Sequence, residues 1–238
     1  MIRTELPPHW AIRPLEEADL PALHRLLLDV TDALADPASL GLSGGAERFF
    51  ASHCGQRGQS LGIFDADRLV AYGALTLPEA DDSDNYANDL GWEPARAARA
   101  GLLSAAMVHP GWRGYGLHCA LIRARLARAA AMGREELLAR AAPANDRSRR
   151  NLLHQGFAIV WLGVQAPGAL RHILWRPTSR SAWTAPPRDA GLTWVAPLDL
   201  PAQTSLLTAG QWGVRTREAD DWIGFATPAD GRGGAEPA

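Results

Sequence analysis

The stretch that decides the fold runs from Val108 to Leu117 and reads Val-His-Pro-Gly-Trp-Arg-Gly-Tyr-Gly-Leu. It follows an uncharged run, 101–108, which predicts a buried strand ended by Pro110. It precedes 117–132, where apolar residues at helical spacing predict an amphipathic helix closed by Gly133. A helix start exposes unpaired N–H groups, and glycines let the main chain approach a ligand closely. The pattern predicts a turn that can hold a pyrophosphate; a plain strand-to-helix turn is the alternative it leaves open.

Working outward, apolar periodicity predicts further strands and helices on both sides of this turn. Upstream, the sequence predicts a strand, two helical pieces and a hairpin, at 11–14, 15–34, 46–54 and 60–64 with 69–77. Downstream, it predicts a strand, a short helix and two strands, at 137–142, 146–154, 157–164 and 171–175. The polar segment 78–99 between hairpin and central strand predicts a loop suited to acceptor recognition.

Bulk composition excludes several functions. The 238 residues are 47% hydrophobic, enough to bury a full core, and the net charge of −2 argues against a nucleic-acid partner. All 24 basic residues are arginine, which excludes a Walker phosphate loop and a Schiff-base lysine. The seven histidines form no metal-binding set, so no metal site is expected. Two isolated cysteines, with no export signal and no membrane span in the sequence, predict a cytoplasmic protein that does not bind a membrane.

The strand, turn and helix around Arg113-Gly114-Tyr115-Gly116 resemble the signature of the GNAT superfamily of acyl-CoA-dependent N-acyltransferases. The small residue that usually ends this signature is replaced by His118 here. Some histone acetyltransferases of the superfamily carry a similar Gly-Tyr-Gly-x-His sequence in this loop. A second resemblance lies downstream, in Asn145 and Ser148, followed later by 156–157, Gly-Phe. The resemblance covers roughly residues 11 to 177. It implies an α/β fold of the α+β type, with a mixed central sheet, splayed central strands and flanking helices.

The same resemblance implies acetyl-CoA as co-substrate and assigns residues to it. Backbone atoms of the central strand would hold pantetheine, and the turn and helix start, Arg113 to Cys119, would hold the pyrophosphate. Asn145 and Ser148 would face the thiol half. In order along the chain, the predicted cofactor-binding residues are Ala106, Met107, Val108, Arg113, Gly114, Tyr115, Gly116, Leu117, His118, Cys119, Asn145 and Ser148. Arg147, Arg149 and Arg150 are predicted to lie on a solvated helix face, with a contact to the adenosine phosphates as the alternative.

Two departures from the family concern the chemistry. The tyrosine that often protonates the leaving thiolate falls at Leu152, and the carboxylate base of histone-modifying members falls at Leu102. The central strand offers Ser104 instead. Asp84 and Tyr86, in the acidic loop, are the other candidates for proton transfer, although a merely solvated loop is the stronger alternative.

Beyond residue 177 the composition changes. The sequence predicts a GNAT domain over 1–177, a linker over 178–190, a small α/β extension over 191–228 and a disordered tail over 229–238. In the extension, a strand, a helix capped by Asp199 and two more strands are expected. The tryptophans of this region indicate packing in a core or an interface. The alternatives are a cover over the acceptor cleft and exchange with a partner subunit in a homodimer.

Two functions therefore stay open, with a third behind them. The first is transfer of an acetyl group from acetyl-CoA to a primary amine, on a small molecule or a peptide, by direct attack. The second is a non-catalytic acyl-CoA-binding module, which the missing acid and base suggest. The third is a partner-binding protein whose cofactor site is vestigial.

Overall fold

The computed structural model describes residues 6–7, 9–34, 45–54, 58–165, 168–179 and 191–228. The chain divides into two compact units: one takes residues 1–78 and 101–132, and the other takes residues 79–100 and 133–238. Most of the linker predicted over 178–190, and all of the tail predicted over 229–238, lie outside the described residues. No helix within the described ranges combines the length and the apolar character needed to cross a bilayer.

The first unit contains an antiparallel sheet of four strands in sequence order. These are β1 (Trp10–Pro14), β2 (Gly58–Asp65), β3 (Arg68–Thr76) and β4 (Ala100–Val108). The β2–β3 hairpin pairs Asp65 with Arg68, which leaves a two-residue turn between them. The hairpin and the strand 101–108 were both predicted from the sequence, and the structure confirms them.

Helices cover both faces of this sheet. Alternate side chains of β3 point to opposite faces, so Tyr72 belongs to one apolar cluster and Ala71 to the other. On the Tyr72 side lie α1 (Leu20–Thr31) and α2 (Ala46–His53), which bury Leu23, Leu26 and Phe50. On the Ala71 side lies α4 (Leu117–Ala131), which begins directly after the glycine turn.

The first helix is shorter than the sequence predicts. Apolar spacing indicated a helix over 15–34, but α1 begins at Leu20, after a 3-10 turn at Glu17–Asp19. The Asp19 carboxylate accepts a hydrogen bond from the Glu16 N–H at 2.9 Å and pairs with Arg13 at 2.7 Å. Pro21 then lies in the first turn of α1. These contacts hold Glu16 extended and stop the helix from beginning earlier.

The second unit contains six strands in the order β5-β7-β6-β9-β10-β8. Their bounds are β5 (Glu136–Ala141), β6 (Ala158–Gln165), β7 (Ala169–Pro177), β8 (Thr193–Val195), β9 (Trp212–Thr216) and β10 (Ile223–Ala226). Its helices are α3 (Pro94–Ala97), α5 (Asp146–His154) and α6 (Leu200–Thr208). The helix 146–154 and the strand, helix and two strands of the extension are confirmed.

The extension packs on the rest of the second unit through buried contacts. Strand β9 pairs with β6 at Gly213 and Ile159, and the Trp175 and Trp212 rings meet edge-on with centroids 5.3 Å apart. Asp199 caps α6 by accepting from the Ala202 N–H at 3.2 Å, as the sequence predicts. The proposed domain boundary at residue 177 stays a prediction.

Candidate functional site

The turn after β4 is built by His109. Its N–H donates to the Val70 carbonyl at 2.9 Å, and its Nδ1 accepts from the Gly111 N–H at 3.0 Å. Its Nε2 lies 2.8 Å from the Arg68 guanidinium and 3.2 Å from an Asp29 carboxylate oxygen. His109 therefore shapes the 3-10 turn Pro110–Trp112 that leads into the glycine loop.

Two aromatic side chains fix the position of the loop. The Trp112 indole N–H donates to an Asp65 carboxylate oxygen at 3.0 Å, beside the β2–β3 turn. The Arg68 guanidinium lies 4.8 Å from the centroid of the Trp112 ring. Tyr115 is 42% exposed and meets Trp10 edge-on, at 5.5 Å between centroids. The loop is thus anchored at both ends before any ligand binds.

Gly114 and Gly116 have the backbone conformation that the glycine pattern predicts. Their φ angles are 88° and 77°, in the left-handed region that side chains other than glycine rarely adopt. A Cβ added at Gly114 would meet no atom within 4 Å, so this side of the turn is open. Gly116 is the N-cap of α4 and supplies no capping side chain. An open glycine turn at the positive end of a 15-residue helix suits an anion such as a pyrophosphate.

The first residues of α4 present backbone to the turn. The Leu117 and Cys119 side chains are buried, so these residues offer a ligand their N–H groups only. Burial, together with the positive charge of Arg125, lowers the pKa of His118 to about 3. His118 is therefore a neutral imidazole at physiological pH and brings no charge to the helix start.

The strand that enters the turn carries a bulge at Ser104. Ala74 pairs with Ala105 and Leu75 pairs with Leu103, which leaves Ser104 as an extra residue on β4. Residues 104–106 are all half-buried, where a regular strand alternates. Bulges often lie beside active sites, where they redirect a side chain. The bulge comes just before Ala106, Met107 and Val108, the predicted pantetheine contacts.

A buried arginine supports this bulge from α4. Arg125 is 1% exposed, and its Nη1 donates to the carbonyls of Ala74 and Ala105 at 3.0 and 3.1 Å. Burial lowers the pKa of Arg125 to about 10, which still leaves it protonated at neutral pH. A Cβ at Gly73 would lie 2.9 Å from the guanidinium carbon, so only glycine leaves room for it.

Ser104 is the end of a buried hydrogen-bonded chain that the sequence reasoning missed. Its hydroxyl contacts the Thr76 hydroxyl, which lies 2.6 Å from His53 Nε2. Thr76 and His53 are 3% and 6% exposed. The only sequence signal was a polar residue, Thr76, inside the apolar run 69–77.

The other two catalytic candidates lie in the second unit, in the loop 79–99. Asp84 is exposed, whereas Tyr86 is 4% exposed and has the Arg140 guanidinium 4.9 Å from its ring centroid. Buried Asn85 holds the loop by donating to the carbonyls of Glu79 and Ala97 at 3.1 and 3.3 Å. Catalytic roles for Asp84 and Tyr86 stay predictions.

Asn145 and Ser148 lie together at the start of α5, also in the second unit. Asn145 is the N-cap, and its side-chain oxygen accepts from the Ser148 N–H at 3.0 Å. This contact gives the pair a local structural role, while their contact with the cofactor stays a prediction.

The solvated face predicted for the arginines of α5 is wrong for Arg149. Arg149 is 0% exposed and donates to the Pro143 carbonyl and the Asp146 carboxylate, at 2.6 Å each. Neighbouring Arg150 pairs with Asp221. These contacts with residues of the second unit hold Arg149 and Arg150 in place.

The fold has clear relatives among solved structures. A scan against protein-family models found no match, and neither did a search of curated proteins. The ribosomal-protein-S18-alanine N-acetyltransferase from Escherichia coli matches at 18% identity and TM-score 0.52, over 71% of this chain and 94% of that one. A GCN5-related N-acetyltransferase from Kribbella flavida matches at 19% identity and TM-score 0.53, over 72% of this chain and 99% of that one. Arabidopsis thaliana NAA60, in complex with acetyl-CoA, matches at 14% identity and TM-score 0.54, over 71% of this chain and 98% of that one.

The protein has the GNAT fold. The fold class that the sequence resemblance implied is therefore confirmed. Leu152 and Leu102, where the sequence resemblance predicts the acid and the base of some GNAT enzymes, are 3% and 1% exposed. Within this GNAT fold, both are apolar core residues, so any proton transfer has to use other groups.

Proposed function

We propose that this protein is an N-acetyltransferase that transfers the acetyl group of acetyl-CoA to a primary amine on a small molecule or a peptide. The observation that carries the proposal is the open, left-handed glycine turn at the start of α4. A structural neighbour with the same fold binds acetyl-CoA, which supports this choice of co-substrate.

The proposed pyrophosphate site uses backbone more than side chains. The N–H groups of Gly114 and Gly116 and those of the first turn of α4 would donate to the phosphate oxygens. Arg113 is half-buried beside the turn and would add a permanent positive charge. Since His118 is neutral, the attraction comes from aligned N–H groups, the helix dipole and Arg113.

The proposed pantetheine site uses the strand that enters the turn. Met107 is buried in the core, whereas Ala106 and Val108 are half-buried in β4. Backbone groups of these three residues would bind pantetheine, and a strand N–H near Val108 would polarise the thioester carbonyl. Asn145 and Ser148 would contact the thiol half of the molecule.

The chain's main contribution to catalysis would be positioning. Acetyl-CoA supplies an acyl carbon activated as a thioester, which a neutral amine attacks directly. A side-chain acid is dispensable, because a thiol has a pKa of only about 8.5 and leaves readily as thiolate. Leu152 at the usual acid position is thus compatible with turnover.

Incubation with acetyl-CoA and a panel of amines tests the proposal. The panel would contain peptides with a free N-terminus, lysine peptides, polyamines and arylalkylamines, with free thiol followed in solution and the acetylated product identified by mass spectrometry. We expect amine-dependent thiol release. Binding of acetyl-CoA without thiol release from any amine would favour the non-catalytic module, and failure to bind acetyl-CoA would reject the enzyme altogether.

A further inference from the structure

The hydrogen-bonded chain behind Ser104 has a fixed direction. His53 Nδ1 lies 2.7 Å from the Phe49 carbonyl and 3.0 Å from the Ser52 hydroxyl. The carbonyl can only accept, and the Ser52 hydroxyl already donates to the same carbonyl at 2.9 Å, so Nδ1 carries the proton of the neutral ring. Nε2 then holds a lone pair and accepts from the Thr76 hydroxyl at 2.6 Å. With its hydrogen given to His53, Thr76 can only accept from Ser104. Protons can therefore move from Ser104 to Thr76 to His53.

Because His53 is only 6% exposed, any positive charge on its ring has to be stabilised by the groups that contact it. It is the last residue of α2, where the negative end of the helix dipole stabilises a cation. The Phe49 ring stacks on it at 4.2 Å between centroids, and an aromatic face attracts a positive charge. The Nδ1–H bond to the Phe49 carbonyl would also strengthen in the imidazolium.

The bulge places one end of this hydrogen-bonded chain, Ser104, towards solvent. Ser104 is half-buried, whereas Thr76 and His53 are buried, so Ser104 is the member nearest to solvent. It precedes Ala106 by two residues, about 7 Å along a strand. Its hydroxyl gives its hydrogen to Thr76 and retains lone pairs that can accept a proton from a bound group.

We propose that Ser104, Thr76 and His53 form a relay that removes the proton from the acceptor ammonium. This proposal rests on the proposed acetyltransferase function. The Ser104 hydroxyl accepts a proton from the ammonium and gives its own proton to the Thr76 hydroxyl. At the same time, the Thr76 hydroxyl gives its proton to His53 Nε2. The amine becomes neutral and attacks the thioester carbon, and the carbon–sulfur bond breaks. The nitrogen gives its remaining extra proton to the departing thiolate, and His53 returns the relayed proton to solvent by the same route.

In this scheme Ser104 is the catalytic residue, and Thr76 and His53 act through it. Thr76→Val keeps the shape of the side chain and interrupts the relay, whereas Thr76→Ser keeps the hydroxyl. Ser60→Ala is the matched control, because Ser60 is also a buried hydroxyl of this sheet, 3.3 Å from the Tyr72 hydroxyl and outside the relay. We expect Thr76→Val to lower kcat about 100-fold, with KM and acetyl-CoA affinity unchanged, and Thr76→Ser to recover most of it.

Nitrogen NMR of the intact protein labelled with ¹⁵N-histidine gives a readout that needs no turnover. The relay requires the tautomer of His53 with hydrogen on Nδ1 and a hydrogen-bonded Nε2, and Thr76→Val should release that Nε2 bond. A proton on Nε2 would overturn the relay, as would wild-type kcat in Thr76→Val. Acetyl-CoA binding with no turnover from any amine would overturn the proposed function and the relay together, whereas an unaffected Thr76→Val in an active enzyme would overturn the relay alone.

Discussion

Arg125 holds the backbone of the first unit at the point where β4 departs from regular pairing. Its three hydrogen-bond acceptors are the carbonyls of Ala74, Ala105 and Leu121. Gly73 has no side chain to displace the guanidinium. The bulge at Ser104 and the arginine beneath it therefore form one structural feature, set by residues of two strands and a helix.

Arg125→Met tests this role of the arginine. The methionine fills much of the space but removes the guanidinium donor from the carbonyls of Ala74 and Ala105, and we expect the free energy of unfolding to fall by about 1 to 3 kcal/mol for each. Urea denaturation measures the loss. Arg123→Met, at a half-buried arginine of the same helix, is the control and should cost much less. Equal stability of the two variants would contradict the account.

Single residues of the site were predictable where their role is local. Gly114 and Gly116 were recognised because a left-handed turn before a helix requires glycine in the sequence itself. His53 and Thr76 were missed because they are far apart along the chain and meet only when α2 packs on β3. Only folding brings these two residues together.

At the scale of elements, periodicity predicted α4 and α5 well because their apolar faces repeat within one segment. It failed at the start of α1, where Arg13 and Asp19 hold the preceding turn. It also failed for Arg149, since the carbonyl of Asp221, which lies far along the chain, contacts it at 3.4 Å. The local sequence determines where a helix forms, but the exposure of a helix face depends on which distant residues pack against it.

Helix α6 of the extension is held by a pH-sensitive contact. His172 Nε2 lies 2.8 Å from the Gln203 side-chain oxygen, and the Gln203 amide donates to the carbonyls of Ala196 and Pro197 at 3.0 and 2.8 Å. Burial is the main cause that lowers the pKa of His172 from its usual 6.5 to about 4. The folded protein therefore resists a proton that the unfolded chain accepts.

The sign of the pH dependence follows from this shift. The unfolded chain binds more protons between about pH 6.5 and pH 4, so the free energy of unfolding falls as pH drops through that window. His172 contributes about 3 kcal/mol to this loss of unfolding free energy. Urea denaturation from pH 7 to 4 should show a shallower decline in His172→Gln, whereas His154→Gln, at an exposed histidine, should follow the wild type. If the free energy of unfolding falls with pH in parallel for wild type and His172→Gln, His172 is not the source of the pH dependence.

At the scale of the whole molecule, the chain is divided between two units in a way that the sequence did not predict. Residues 79–100 belong to the second unit, together with the described residues from 133 onward. Reading along the sequence suggested a single GNAT domain followed by an appendage. A segment that crosses to another compact unit has no signature in local periodicity, because its contacts are with residues distant in the chain.

Shortening the chain tests whether the extension is an appendage. In a protein ending at Ser179, Ile159 and Trp175 would lose the cover of Gly213 and Trp212. We expect exposed apolar surface, seen as binding of a hydrophobic dye and a less cooperative urea transition. A shortened protein that unfolds at the same urea concentration as the full chain would show that residues 180–238 are dispensable for folding.

We infer that the turn from Arg113 to His118 binds acetyl-CoA. Calorimetric titration with acetyl-CoA, on the wild type and two tryptophan variants, tests it most directly. Gly116 and Gly133 lie at opposite ends of α4 with φ angles of 77° and 73°, so Gly116→Trp and Gly133→Trp impose similar backbone strain. We predict that the wild type and Gly133→Trp bind acetyl-CoA and that Gly116→Trp does not. A wild type that shows no binding, or a Gly116→Trp variant that binds as tightly as the wild type, would rule out this turn as the acetyl-CoA site.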